Sequence, residues 1–381
     1  MQTEAPLETP ATREEPGALR RLRLARFRSL APTDWHPAGG WNLVHGANGS
    51  GKSSLLEALY LVATGKSFRT ANLSECCSRS GPGEAGFLVR AEVEREGSWD
   101  LAVVFSEGSR SLSLQDKPSA LAAHLALLPV VVWSEAEREL VAGPAAARRR
   151  FLDRAALLLQ PARLAEHAEL HRVLAQKRHL LAGNARAGRH AGAAELTAWN
   201  ELLAPLIARR AQARAELVQR LGGAATALLA AHGADLPPLE LTYQPSPPEA
   251  PEGSAAVAAA LDRAVARERE RGQPLLGPQR DRVEIAMDAA AARRFASAGE
   301  RKVVALALLA GLTSLLVAAG RGPLVLLDDL DAELDRSRLA LAAALFAGQA
   351  QTIATTSRPE LFGASPSGPR WGLAKGVLGP G

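Results

Sequence analysis

Cysteine is almost missing from this chain of 381 residues. Its two cysteines are adjacent, at Cys76 and Cys77, which excludes a disulfide framework and fits no metal-ligand spacing. A reducing, cytoplasmic compartment is the simplest expectation. Aromatic residues make up only 4%; no basic motif interleaved with aromatics occurs, so base-specific reading of a nucleic acid is not expected. LALLAGLTSLLVAAG, 306–320, carries Thr313 and Ser314 and is too short for the roughly 18 apolar residues of a membrane span, so no membrane segment is expected. Residues 1–17, MQTEAPLETPATREEPG, have neither the basic start nor the apolar centre of a signal peptide and read as a disordered tail.

Against these absences stands GANGSGKS, Gly46 to Ser53, which fits G-x-x-x-x-G-K-[ST]. Trp41, Leu43 and Val44 before it suit a buried strand, and Leu55, Leu56, Leu59, Leu61 and Val62 after it recur at helical spacing. The motif therefore sits where a strand turns into a helix. Gly46, Gly49 and Gly51 allow backbone conformations that aim successive N–H groups at one anion at the positive end of a helix. Ala47, Asn48, Ser50 and Ser54 complete the expected nucleotide-binding stretch. Lys52 is placed to reach the β and γ phosphates of ATP, and the Ser53 hydroxyl to ligate Mg²⁺.

Composition bounds the rest. With 47% apolar residues, the chain can bury one large core or two moderate ones. The net charge is +5, but residues 148–220 hold fourteen Lys/Arg against six Asp/Glu, a local +8. That basic stretch suits a polyanion such as DNA, or simply solvated helix faces. Arg148, Arg149, Arg150, Lys177 and Arg178 are its candidate DNA contacts; Arg148 to Arg150 are equally suited to bracing the helices against the core.

Residues 18–30 read as a strand leading into the sheet that precedes the phosphate loop. Between Phe87 and Gln115, period-two segments separated by turns predict an antiparallel meander, and LLPVVVWS predicts a buried strand. After Pro144 the pattern becomes helical, and an extended segment and loop follow Pro237. The predicted organisation is an α/β ATPase core over 18–144 and 236–381, with an inserted helical lobe over 145–235.

LVLLDDLDAELD, 324–335, ends a buried strand in Asp328, which suits the Mg²⁺ shell opposite Ser53. Asp329 follows where a carboxylate can polarise an attacking water. Two acids at a strand end can also cap a helix. Upstream, Ser297, Ala298 and Gly299 precede a strongly apolar helix, with Glu300 at capping-box spacing. An ordinary N-cap is one reading of that turn.

The second reading is a resemblance. FASAGERKVVALALLAGL resembles the signature motif of ATP-binding-cassette ATPases, in which a serine and backbone amides at a helix N-terminus bind the γ phosphate held by another subunit. LRLARFRSL, GANGSGKSSLLEALYLVATGKSFR, LVAGPAAARRRFLD, VLAQKRHLL, LGPQRDRVEI and LDDLDAELD together resemble the RecF family, bacterial recombination-mediator ATPases related to SMC and Rad50 heads. Lys52 and Ser297 lie 245 residues apart, too far for a compact transporter ATPase. The resemblance implies an ABC-type head, a mixed sheet with an antiparallel β subdomain. It also implies an ATP-dependent homodimer that sandwiches ATP, binds duplex DNA near gaps or single-strand junctions, hydrolyses ATP slowly, and supports RecA loading with RecO and RecR. Glu300 stands where glutamine is usual in that family, and Gln279 where histidine is. A small-molecule P-loop kinase and a non-hydrolysing, nucleotide-dependent scaffold are the alternatives; the kinase leaves the ASAG turn and the basic insertion without a role.

Overall fold

The computed structural model describes residues 18–78, 86–186, 192–332, 334–363 and 366–381. The tail expected over residues 1–17 lies outside them.

Strands β1 (Ala18–Ala25), β2 (Thr33–Trp35) and β3 (Trp41–His45) precede helix α1 (Lys52–Thr64). Next come β4 (Gly86–Glu94), β5 (Ser98–Ser106), β6 (Ser109–Leu114) and β7 (Lys117–Pro118), the expected meander. Glu107 and Gly108 both have positive φ, as a two-residue hairpin turn requires. The first strand corrects an expectation: β1 pairs with β2 and β4 in the antiparallel sheet, order β2-β1-β4-β5-β6-β7. It is not part of the sheet that carries the phosphate loop. A register shift between Leu19 and Arg21 lets Leu19, Leu22 and Leu24 all be buried, which strict alternation would forbid.

Helix α2 (Leu121–Leu127), strand β8 (Val130–Trp133) and helices α3 (Glu135–Arg138), α4 (Ala145–Leu159), α5 (Leu164–Arg186) and α6 (Ala193–Ala231) follow. The chain then runs through β9 (Leu239–Gln244), α7 (Ser254–Arg271), β10 (Arg282–Met287), β11 (Ala290–Ala291), α8 (Ala292–Phe295) and α9 (Ala298–Ala318). It closes with β12 (Leu324–Leu327), α10 (Arg336–Phe346), β13 (Thr352–Thr356), β14 (Arg370–Ala374) and β15 (Val377–Pro380).

The central sheet has the order β15-β14-β3-β13-β12-β8, parallel except for β15. Both of its faces are covered, as parallel sheets demand. Val44, Val130, Val132, Leu324, Leu326 and Ile353 pack with α1 and the meander. The alternate residues Leu43, Val131, Trp133, Val325, Leu327 and Ala354 pack with α4, α6, α9 and α10. Helix α9 runs through that second core. It is 21 residues long, and an 18-residue stretch of it has a mean hydropathy of 1.8, long and apolar enough by composition to cross a membrane, although Glu300, Arg301 and Lys302 stand near its N-terminus. It is 72% buried inside the protein, so its apolarity is that of a core helix.

Helix α6, 39 residues with Pro205 inside, serves two cores. Its C-terminal half, through Leu217, Leu221, Ala225 and Leu229, enters the main core. Gly311 of α9 permits that approach, because a Cβ there would stand 3.1 Å from the Ala225 nitrogen. Its N-terminal half packs Leu203 and Ile207 with Leu170 and Val173 of α5 and Val257 and Leu261 of α7.

Two of the candidate DNA contacts are corrected by burial. Arg148 is 8% exposed, and its guanidinium donates to the carbonyls of Val283 at 2.8 Å, Gly143 at 3.0 Å, and Leu140 and Val141 at 3.3 Å. Lys177 is 1% exposed and pairs with Glu268 of α7 at 2.7 Å and with Asn200 of α6 at 2.6 Å. Both are buried and spent chiefly on partners inside the protein. Arg149 is half-buried and donates to the Asp281 carbonyl at 2.9 Å, whereas Arg150 and Arg178 are exposed. The buried Lys177–Glu268 pair ties α5 to α7, so removing one partner strands a charge. Lys177→Ala is expected to lower unfolding free energy by about 3–5 kcal/mol, read from urea denaturation; a loss under about 1 kcal/mol would contradict that role.

Candidate functional site

The register of the central sheet brings the ends of β3, β13, β12 and β8 to one edge, where open α/β sheets place their ligands. The Gly46–Ser53 loop leaves β3 there and turns into α1. Gly49 and Gly51 take φ of 80° and 112°, left-handed values that a side chain strains against. Gly46 has no room for a Cβ, which would fall 2.2 Å from the Leu373 carbonyl oxygen. Lys52 is buried, and its Nζ donates to the Gly46 carbonyl at 2.9 Å and the Ala47 carbonyl at 3.3 Å. The ammonium is thus held across the loop it would share with a phosphate.

Ser53, the second residue of α1, donates from Oγ to Asp328 Oδ1 at 2.9 Å. The two residues are 275 positions apart. Thr355, at the end of β13 between their strands, donates from Oγ1 to the same oxygen at 3.0 Å and accepts from the Asp329 amide at 2.8 Å. Asp329 itself has φ of 46°, the left-handed region that Asp tolerates better than most residues. It is only partly buried. Burial, followed by the neighbouring Asp329 charge, holds the Asp328 carboxyl above the usual carboxylate range. A buried acid so placed gains from a cation.

These residues fit a nucleotide triphosphate with Mg²⁺. Ser53 and Asp328 supply the hard oxygen ligands that Mg²⁺ takes. Ser50 Oγ is buried in the loop with no hydrogen-bond partner, an orphan of the kind a ligand satisfies. Ala47, Asn48 and Ser54 belong to the same loop and helix start, and Arg69 Nη1 reaches Ser54 Oγ at 3.4 Å from the segment after α1. Cys76 is buried behind α1, its thiol pushed up to about 12 by burial and by Glu57; it is a packing residue.

Two residues here were not anticipated. Thr355 was legible only as one of two threonines closing an apolar strand. Arg138 of α3 donates from Nη2 to the Asp328 carbonyl at 3.0 Å, and its neighbour Glu137 pairs with Arg154 of α4 at 2.5 Å. A four-residue helix thereby joins the Asp328 turn to the helical lobe.

Ser297 caps α9. Its Oγ accepts from the Glu300 amide at 3.3 Å, and Glu300 Oε2 accepts from the Ser297 amide at 2.7 Å, a complete capping box. Those bonds hold the Glu300 carboxyl below its ordinary range, so it is charged at neutral pH. Arg338 of α10 lies over Gly299, where a Cβ would meet its guanidinium at 2.6 Å. Ser297 and Ala298 face solvent. Among the described residues, no hydrogen bond joins this turn to the Gly46–Ser53 loop.

The raised Asp328 carboxyl has a measurable consequence. An acid whose pKa is raised on folding destabilises the native state once pH exceeds its ordinary value of 3.8. Asp328→Asn is therefore expected to melt higher than wild type at pH 7 without nucleotide, with the gap closing as pH falls below about 4. A lower melting temperature at pH 7 would contradict the buried-acid account.

Residues 18–367 match the family model described as RecF/RecN/SMC N terminal domain. The chain is 34% identical over 353 residues to the DNA replication and repair protein RecF of Anaeromyxobacter sp. (strain Fw109-5), covering 90% of this chain and 92% of that one. It is 34% identical over 348 residues to the RecF of Myxococcus xanthus (strain DK1622), covering 88% and 90%. Its fold is similar to that of the recombination mediator protein RecF-ATP in the RecFOR pathway, with TM-score 0.84, 22% identity, and 98% and 100% of the chains covered. An Smc head domain from Pyrococcus furiosus shares the fold more distantly, at TM-score 0.56, 17% identity, and 95% coverage of each chain. The chain belongs to the RecF family of DNA replication and repair proteins.

Proposed function

We propose that the protein is an ATP-dependent, DNA-binding switch of recombinational repair that closes as a dimer around nucleotide. The observation that carries this is the division of the site. Ser53, Asp328 and Thr355 are joined within one chain, whereas Ser297 presents an exposed, capped helix N-terminus with no bond to that loop. A helix N-terminus offers free amides and a positive dipole end to a phosphate. Two copies arranged head to tail set the Ser297–Gly299 turn of one against the Gly46–Ser53 loop of the other.

In this reading Lys52 and the loop amides bind the β and γ phosphates of ATP. Ser53 and Asp328 would hold Mg²⁺, which would supply positive charge against the phosphates. Asp329, half-exposed beside Asp328, orients the attacking water and accepts its proton. Arg138 fixes the turn that carries both acids. Hydrolysis then releases the clamp. DNA is the cargo, in keeping with relatives named as DNA replication and repair proteins, and the solved relative described within the RecFOR pathway makes RecO and RecR the partners to test. The DNA is double-stranded and gapped or carries a single-strand junction, and the setting is the cytoplasm.

Ser297→Arg places a bulky cation in the turn and is expected to abolish ATP-dependent dimerisation while leaving ATP binding intact, as sedimentation velocity and nucleotide titration would read. Persistence of the dimer at wild-type strength overturns the sandwich. Glu300→Gln keeps the capping box but removes a negative charge near the partner's phosphates. It is expected to tighten the ATP-bound dimer roughly two- to fivefold at low salt, the scale of a charge at a helix end, with the gain shrinking at 1 M salt; unchanged or weaker dimers would show that the charge is not near phosphate.

A further inference from the structure

Several arginines near surface acids are paired: Arg20 with Glu94, Arg21 with Asp34, Arg209 with Glu166 and Arg263 with Glu249. The arginines around Asp153, His167 and His171 are also spent internally, Arg210 and Arg214 on Asp153, and Arg210 on His167 as well. One cleft differs. Between α7 and the paired strands β9 and β10 lies an open cavity of about 880 Å³, lined by Arg267, Arg271, Arg280 and Arg282 together with Gln244 and Gln273. None of its lining residues is acidic. All four arginines are exposed, and none makes a side-chain hydrogen bond or ion pair to any described residue.

The fold holds these cations in place. Arg267 and Arg271 are four residues apart on α7, hence neighbours on one face. The other face is anchored by Val257, Leu261, Ala264 and buried Glu268, the last paired with Lys177. Arg282 opens β10 directly opposite Gln244 of β9. Arg280 is two residues earlier, in the segment pinned by Asp281, whose carboxylate takes Arg214, Tyr243 and the Ser246 amide. Mutually repelling cations in a cleft whose lining holds no acid cost stability unless something anionic binds them.

We propose that this cleft seats the phosphodiester backbone of duplex DNA, an inference that rests on the DNA-binding reading above. Arginine suits phosphate through its planar fork of donors, and the two glutamines add neutral donors. Tyr243, the one aromatic residue of the lining, spends its hydroxyl on Asp281, and arginine-to-phosphate contact is independent of base sequence. The cleft lies outside the 148–220 stretch that charge counting singles out.

The test is anisotropy of a labelled 30-base-pair duplex against salt, with the full chain and ATP. Changing all four arginines to glutamine is expected to weaken binding roughly tenfold or more at 0.1 M salt and to lower the log–log salt slope by roughly one per arginine. The four Arg→Lys changes should keep most of that slope. In wild-type protein, duplex should protect the four arginines from phenylglyoxal, a readout that needs no variant to fold. Wild-type binding with an unchanged glutamine variant and no protection overturns the cleft alone. No duplex binding by wild type overturns the DNA reading, and the cleft with it. Equal loss for a polyglutamate of matched charge, with no preference for duplex, would assign the cleft to an acidic protein segment and overturn the proposal.

Discussion

Everything in this protein's chemistry depends on one shared oxygen. Asp328 Oδ1 accepts from Ser53 at the start of α1 and from Thr355 at the end of β13, so three adjacent parallel strands are cross-linked at the edge where they end. The sheet's register makes this contact possible between residues 275 positions apart. A one-strand change in order would remove it. The same contact places an unfavourable buried carboxyl beside a second acid, a local instability of the kind that functional sites retain when a bound cation relieves it.

From that edge the structure radiates through short connections. Arg138 holds the carbonyl of Asp328, and the adjacent Glu137 holds Arg154 at the entry to the helical lobe. Arg148 satisfies four carbonyls nearby, and Arg214 bridges Asp153 and Asp281. The basic helices are thus partly a bracing framework. Four exposed cations without a partner are gathered in the α7–β10 cleft, whose lining holds no acid.

The phosphate loop, the acidic strand end and the capped ASAG turn were legible in sequence because each is local: glycine positions, an apolar strand and a capping box read within a dozen residues. The meander was legible for the same reason, through its period of two. What was not legible depends on partners distant in sequence. Nothing in ARRRFLD says that Arg148 meets Val283, or that Lys177 meets Glu268, so charge counting nominated two buried residues for DNA. Strand β1 was misplaced because alternation shows a strand but not its neighbour. Thr313, inside that apolar run, satisfies its hydroxyl on the Leu309 carbonyl within α9. Thr355 and Arg138 carry no motif, and only the sheet order reveals them.

The central claim is that each nucleotide site is composite, with the loop of one copy and the turn of another. Mixing Lys52→Ala protein with Ser297→Arg protein tests it directly by ATP hydrolysis. Each variant alone has two broken sites; a mixed dimer has one site broken twice and one intact. The account predicts that two inactive preparations regain hydrolysis when combined, approaching half the wild-type rate per mixed dimer. A mixture no more active than its separate components would contradict it.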